Sequence, residues 1–250
     1  METASLIDLK KPRIIVIEDR GHAYTLTLSP ITRKQWLGYF DHIVSTSETQ
    51  YGKRIDSFDS TGARLALVNQ ALIDADGYRV NGTVNATEID GWRELIPANH
   101  RLTAANVLTS VERSAVNDEN PITLGCEGVL LDAVWGRGSL NRMLKRTGLR
   151  HNLNTPSVEQ QRRYSRDMSR SQVIGGSRAG KTRWLGAQAT LVDLYDELIV
   201  SVEGYAVNGE PLTDDRDEII ASMDTYHKVA AAESLFTPVA AKVDEDDDAQ

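Results

Sequence analysis

The sequence predicts an α+β fold made by tandem duplication of a unit that contains a β-hairpin and three helices. Three observations predict it: a Gly-rich turn that occurs twice, a helical face that follows each turn, and a strand-rich opening. Gly77-Tyr78-Arg79-Val80-Asn81-Gly82 returns as Gly204-Tyr205-Ala206-Val207-Asn208-Gly209. The offset of 127 holds without a gap from Leu67/Leu194 to Leu108/Leu235, and 11 of those 42 positions are identical. Ordinary composition would give roughly 2–3, so the match reads as one supersecondary unit used twice. Gly77, Tyr78, Gly82 and His100, with Gly204, Tyr205, Gly209 and His227, define the repeat. Gly82 and Gly209 are expected at positive φ, which glycine adopts without a Cβ clash.

The elements follow in order. Arg13–Ile17 is rich in β-formers and Tyr24–Leu28 alternates apolar with polar residues. Asp19-Arg20-Gly21-His22 between them carries turn chemistry, which makes a β-hairpin. Ser29-Pro30 is expected to open a helix through Phe40, with Ser as cap and Pro at the first helical position. Trp36, Phe40 and Ile43 lie on its apolar side. Residues 45–61 are polar and read as a loop, and a helix over about 61–75 leads into the first turn.

Beyond the turns, Thr87-Glu88-Ile89-Asp90 and Asp214-Asp215-Arg216-Asp217 read as helix starts with capping oxygens. Trp92, Ile96, His100, Ala104 and Leu108 recur every four residues, as do Ile219, Met223, His227, Ala231 and Leu235. That spacing makes one helical face. Pro97 should kink or restart the first of these helices, whereas Asp224 holds that place in the second. One histidine per helix does not make a metal site. Each is expected at the edge of a packed face, with one hydrogen-bond partner.

Residues 1–112 form the first unit and residues 113–138 a connector. Within the connector Arg113–Pro121 lacks periodicity, and Ile122–Trp135 is apolar enough to pack as strands spanning the two units. Residues 139–238 form the second unit, where Gly148, the Leu149/Leu153 spacing and Thr155-Pro156 mirror the first hairpin and Ser29-Pro30. Residues 239–250 are an acidic tail whose Asp244–Asp248 run cannot bury anything and is expected to be disordered.

Composition narrows the class. With only 6% aromatic residues against 40% hydrophobic ones, the core must lean on Leu, Ile, Val and Ala. The lone Cys126 excludes an intramolecular disulfide and a multi-cysteine zinc site. No apolar run follows the opening charges as a signal peptide would require. No stretch approaches the ~18 apolar residues of a membrane span, so a soluble protein without a membrane partner is expected. Motifs of zinc peptidases, thiol redox proteins, serine hydrolases and EF-hands are missing, which points to a non-enzymatic protein with no metal and no cofactor.

Charge is uneven. Arg137–Arg183 carries 12 Lys/Arg against Glu159 and Asp167, a local +10, so the remainder carries −18 and the chain −8. Arg162, Arg166 and Arg170 are spaced to line one helix face and, with Arg163, are candidate partner-binding residues for phosphate, nucleic acid or an acidic protein. Gly175-Gly176-Ser177-Arg178-Ala179-Gly180-Lys181-Thr182 fits the phosphate-loop string. Gly175, Gly180, Lys181 and Thr182 would cradle a nucleotide if a buried strand preceded them. The preceding residues are instead rich in Arg and Ser, and Tyr51-Gly52-Lys53-Arg54 stands near the equivalent place of the first unit. A connecting loop is the simpler reading, with nucleotide binding as the alternative and nucleic-acid binding through residues 137–183 as a third.

The hairpin followed by Leu28-Ser29-Pro30-Ile31-Thr32 and then Trp36 and Phe40 resembles the opening of bacteriophage tail assembly chaperones and related tail-morphogenesis proteins. Ile96-Pro97-Ala98-Asn99-His100-Arg101 and its following Ala-Ala are similar to helices in prophage structural proteins. The resemblance implies a protein that binds other tail components, such as the tape-measure protein, during virion morphogenesis. It implies a location in the host cytoplasm during assembly, with the virion as the other setting.

Overall fold

The computed structural model describes residues 6–43, 47–50, 53–56, 59–109, 112–113, 122–135, 142–171, 185–212 and 214–236. The chain opens with a two-residue strand, β1 (Ile7–Asp8), and then forms the hairpin β2 (Arg13–Asp19) and β3 (His22–Leu28). Arg20 and Gly21 between its strands have φ of 52° and 80°, the positive pair that a tight hairpin turn needs to match strand twist. Alternation places Ile15, Ile17, Leu26 and Leu28 on one face, all fully buried, as a strand period of two dictates.

Helix α1 (Arg33–Ile43) starts later than Ser29-Pro30 suggests. Thr32 caps it: its hydroxyl accepts from the Gln35 N–H (3.3 Å), and Gln35 Oε1 accepts from the Thr32 N–H (2.8 Å). This is a capping box. Ser29 is held elsewhere, since its N–H and hydroxyl both donate to the Ala71 carbonyl, at 2.8 and 3.1 Å. The polar segment read as a loop contains a separate antiparallel ribbon, β4 (Ser47–Gln50) and β5 (Lys53–Asp56). Its strands read Ser47-Glu48-Thr49-Gln50 and Lys53-Arg54-Ile55-Asp56, with no apolar alternation to betray them in the sequence.

Helix α2 (Ser60–Ala71) is capped by Asp59, which accepts from the Gly62 N–H at 2.7 Å. It stops at Ala71 instead of continuing to Ala75, because β6 (Leu72–Asp76) pairs with β3 and buries Leu72 and Ala75 against the hairpin. The first Gly-rich turn follows as β7 (Arg79–Val80) and β8 (Val84–Asn85). Asn81 and Gly82 between them have φ of 53° and 75°. Gly77, at φ 88°, has no room for a side chain: a Cβ there would lie 2.7 Å from the Ala23 carbonyl oxygen.

Gly77→Ala should therefore destabilise the fold by roughly 2 kcal/mol or more, from left-handed strain plus a backbone clash. Gly82→Ala, whose Cβ meets nothing within 4 Å, should cost only the strain, about 1 kcal/mol. Urea midpoints of the two variants test the difference. Equal losses would remove the role assigned to the Ala23 carbonyl.

After β8 come two 3₁₀ turns, Ala86–Glu88 and Trp92–Leu95, in place of the helix start read at Thr87. Gly91 at φ 73° separates them, and α3 (Ala98–Leu108) begins only after Pro97. Trp92 and Ile96 thus precede the helix that carries His100, Ala104 and Leu108. Then come β9 (Glu112–Arg113), β10 (Ile122–Trp135), β11 (Arg142–Leu153), α4 (Val158–Ser171) and α5 (Leu185–Leu198). The chain continues through β12 (Ile199–Glu203), β13 (Tyr205–Val207), β14 (Glu210–Pro211), α6 (Arg216–Ser222) and α7 (Thr225–Phe236). Asp215 caps α6 by accepting from the Asp217 and Glu218 N–H groups. Asp224 caps α7 by accepting from the Tyr226 N–H at 2.8 Å. The break at this place therefore occurs in both halves, with proline in one and a capping aspartate in the other.

The fold is α+β. Its main sheet has the order β12-β11-β10-β2-β3-β6, with β9 also on β10. Neighbours are antiparallel except β10 and β2, which run parallel from Ala133↔Ile17 to Trp135↔Asp19. Strand β10 thus joins the two halves of the sheet. On either side the outer pairs share one register. Leu26↔Ala75, Thr27↔Asp74 and, after an irregularity, Leu28↔Leu72 correspond to His151↔Val202, Asn152↔Ser201 and, after the same irregularity, Leu153↔Ile199.

The β12 residues are the β6 residues plus 127, and the β11 residues are the β3 residues plus 125. The Asn154 N–H donates to the Leu198 carbonyl at 2.8 Å, as Ser29 does to Ala71. Ser157 and Gln160 repeat the Thr32–Gln35 capping box. By this register Asn154, not Thr155, is the counterpart of Ser29. The predicted acidic tail lies outside the described residues.

Two apolar clusters pack on the sheet. One gathers Ile15, Leu26, Trp36 and Val68; the other gathers Leu149, Val192, Tyr195 and Ile219. Phe40 and Tyr226 pack against both, and the Trp36 and Tyr226 ring centroids lie 4.8 Å apart. Among the described residues no helix is long and apolar enough to cross a membrane.

Candidate functional site

Each Gly-rich turn delivers a tyrosine to a histidine in the first turn of α3 or of α7. Tyr78 Oη lies 2.9 Å from His100 Nδ1, and Tyr205 Oη lies 2.8 Å from His227 Nδ1. All four side chains are buried, with His100 and His227 each 2% exposed. A second pair of contacts repeats beside them. Arg101 Nη1 donates to Asn69 Oδ1 at 3.0 Å, and Lys228 Nζ donates to Asp196 Oδ1 at 2.6 Å. These positions also differ by 127, although sequence alone gave no reason to single them out.

Around the second turn the site is sealed. His151, which stands in β11 where β3 has Leu26, places Nδ1 2.9 Å from Tyr195 Oη and Nε2 2.8 Å from Tyr205 Oη. One proton arrangement satisfies the whole chain. Tyr195 donates to His151 Nδ1, His151 Nε2–H donates to Tyr205, and Tyr205 donates to His227 Nδ1. Both histidines are then neutral. Burial pushes both imidazoles down to about 3, His227 adding to the effect on His151 and Arg13 to that on His227. Burial also pushes the Tyr195 phenol up.

Strand β1 closes the outer edge of this second turn. It pairs in parallel with β13, the Ile7 N–H donating to the Gly204 carbonyl (3.0 Å) and the Leu9 N–H to the Ala206 carbonyl (2.9 Å). Asp8 accepts from the N–H groups of Asn208 (3.2 Å) and Gly209 (2.7 Å). Burial works against that carboxylate, but the donors at Lys10, Gly209 and Lys11 together hold it below its usual range. Ile7 and Leu9 join the second core cluster.

Around the first turn nothing comparable is in place among the described residues: β7 and β8 form a two-stranded sheet of their own. A groove of about 690 Å³ runs there, with Tyr24, Tyr78, Val80, Leu95, Pro97 and His100 in its walls. His100 Nε2 lies 3.3 Å from Asp19 Oδ2 at its base. Asp19, His100 and Tyr78 are ordered like an acid–base relay, but the phenol at its end is hard to deprotonate. Burial, with Tyr24 and Asp19 beside it, pushes the Tyr78 phenol well up, so it holds its proton and donates to the imidazole. The same Tyr–His bond recurs in the sealed site, where no substrate has access. The bond ties turn to helix, with the groove above it.

The remaining candidates are spread out. On α4, Arg163 pairs with Glu197 at 2.8 Å and Arg166 with Asp167 at 3.4 Å. Gln160 also donates to Glu197, and against the effect of burial these two donors hold its carboxyl down. Arg162 is exposed, and the Arg170 side chain lies outside the described residues. Arg163 therefore meets an acid of its own chain, not a free surface. Gly175, Gly180, Lys181 and Thr182 also lie outside the described residues; the last described element before them is helix α4, whereas a phosphate loop follows a strand. No group of three or more His, Cys, Asp or Glu able to hold a metal occurs among the described residues.

Asp8, Asp19 and His151 carry no motif, and only their positions in the fold single them out. No protein-family model matches the chain, and no curated protein or solved structure matches it either.

Proposed function

We propose that the chain is a non-enzymatic protein-binding component of phage tail assembly, built from two related units that present unequal surfaces. One observation carries the binding reading: the same turn is closed by β1 at β13 and has an open groove at β7. The matched strand registers, capping boxes and Tyr–His bonds support the duplication. The tail assignment rests on the resemblance of Leu28–Thr32 and Ile96–Arg101 to tail-morphogenesis proteins, and it makes the tape-measure protein the first partner to try.

The test is co-expression with phage tail-tube and tape-measure proteins, followed by size-exclusion chromatography with light scattering. A stoichiometric complex with one of them is expected. If the chain elutes alone in both mixtures, the tail reading falls.

A further inference from the structure

The open edge of β7 corresponds to the closed edge of β13 at an offset of 127, which identifies what would fit it. We propose that β7 takes an extended segment of a partner protein with the pattern apolar–Asp–apolar, added as a parallel strand. The proposal deepens the binding reading given above and rests on it.

The chain carries its own template. In the closed site two carbonyls, of Gly204 and Ala206, receive the N–H groups of Ile7 and Leu9, while two turn amides, of Asn208 and Gly209, receive the Asp8 carboxylate. Subtracting 127 gives Gly77, Arg79, Asn81 and Gly82 on the open edge. Their φ angles agree, 88° at Gly77 and 90° at Gly204, 53° at both asparagines, and 75° and 91° at the second glycines, although pairing resumes one residue later in the first turn, Val80↔Val84 against Val207↔Glu210. No other strand pairs with that side of β7 among the described residues. An edge with unpaired amides and carbonyls is a ready acceptor for strand addition.

Side chains add selectivity. The residue at the centre of the closed edge is Ala206, buried beneath β1; its counterpart Arg79 is exposed. A cationic residue on the edge strand that leads into two amide donors favours a carboxylate, since charge-assisted hydrogen bonds are the stronger kind. Tyr24, Val80, Leu95 and Pro97 give the groove apolar walls for the residues on either side of that acid. Leu95, at 47% exposed, is one of the large apolar side chains the fold leaves uncovered.

The probe is a fluorescein-labelled peptide with the sequence of Leu6–Pro12, titrated into the full chain and followed by anisotropy. Saturable binding is expected, weakened roughly tenfold when the peptide carries Asn in place of Asp8, as loss of a charged hydrogen bond predicts. Arg79→Pro removes the edge amide and should abolish binding. Arg79→Asp leaves the backbone intact and should weaken binding roughly tenfold or more, with unchanged circular dichroism showing that it folds.

Binding insensitive to both Arg79 variants would mean that the peptide merely exchanges with β1 at β13, and would overturn the proposal. So would the lack of saturation at about 1 mM peptide, near the weak limit of useful affinity. Self-association of the full chain that Arg79→Asp abolishes would make the occupant a second copy, and would overturn the assignment to a separate partner. If the peptide binds as expected but no tail complex forms, the groove stands and the tail reading fails. If a tail complex forms and Arg79→Asp leaves it intact, the tail reading stands and this assignment of the groove fails.

Discussion

Replacing Trp36 by alanine is expected to destabilise the chain by about 3–5 kcal/mol, the range for removing a large aromatic side chain from a core. Trp36 is fully buried on α1. Its ring lies 5.7 Å from Tyr39, 6.2 Å from Phe40 and 4.8 Å from Tyr226. Aromatic pairs at such distances add to simple burial. Tyr226 belongs to α7, and its hydroxyl donates to the Thr109 carbonyl at 3.1 Å, so this group of rings fastens one half to the other. Guanidinium denaturation followed by far-UV circular dichroism measures the loss, and hydrogen exchange should show α7 amides opening more readily. A loss below about 1 kcal/mol would place Trp36 at a site that collapses without a cavity.

The second large effect is sensitivity to acid. His151 and His227 are held neutral in the fold, with pKa values pushed down to about 3 from an ordinary 6.5. When the folded-state value is depressed, the unfolded chain binds more protons between the two values, so stability falls as pH falls. The contribution is fully present above pH 6.5 and is lost progressively towards pH 3. Each histidine changes stability by about 1.4 kcal/mol per pH unit in that window. At pH 5 the loss is roughly 2 kcal/mol per histidine, and about 4 kcal/mol together.

Asp224 works the other way at the lower end. Burial raises its carboxyl despite Arg13 at 3.9 Å and the Tyr226 N–H, so protonation there relieves the fold. Urea midpoints at pH 7.5, 6 and 5 should fall steadily. His151→Leu, which restores the residue found at Leu26, should cost about 1–3 kcal/mol at pH 7.5 by leaving the Tyr195 hydroxyl unpaired. It should also flatten the pH dependence by about half. A pH-independent wild type would contradict the neutral assignment.

How much was legible beforehand follows from the range of each interaction. The β2–β3 hairpin, the positive φ at Gly82 and Gly209, the Asp215 cap of α6 and the restart after Pro97 depend on residues within a few positions of one another. A side chain and its neighbours in the chain are enough to decide such features. The two Tyr–His bonds span 22 residues; the repeat marked both ends in each unit but did not pair them, and it set the histidines at the edge of a packed face where both are buried. The start of α1 was misplaced because Ser29, a good cap by composition, is occupied by Ala71, 42 residues away. The end of α2 was misplaced because pairing with β3 outweighs the helical propensity of Leu72–Ala75.

The groove belongs to the other category. By itself the sequence determined that a Tyr-bearing, glycine-bounded turn and a histidine-bearing helix occur twice, since these are local patterns repeated at one offset. It held no sign that, among the described residues, one turn would be covered and the other left bare. That difference comes from β1, which reaches 200 residues along the chain to place Asp8 on Asn208, and from Arg79 standing where Ala206 is buried. Only the tertiary structure decided it. Strand addition is carried by backbone N–H and C=O groups, which every residue but proline has, so three-dimensional reach decides which edge is filled.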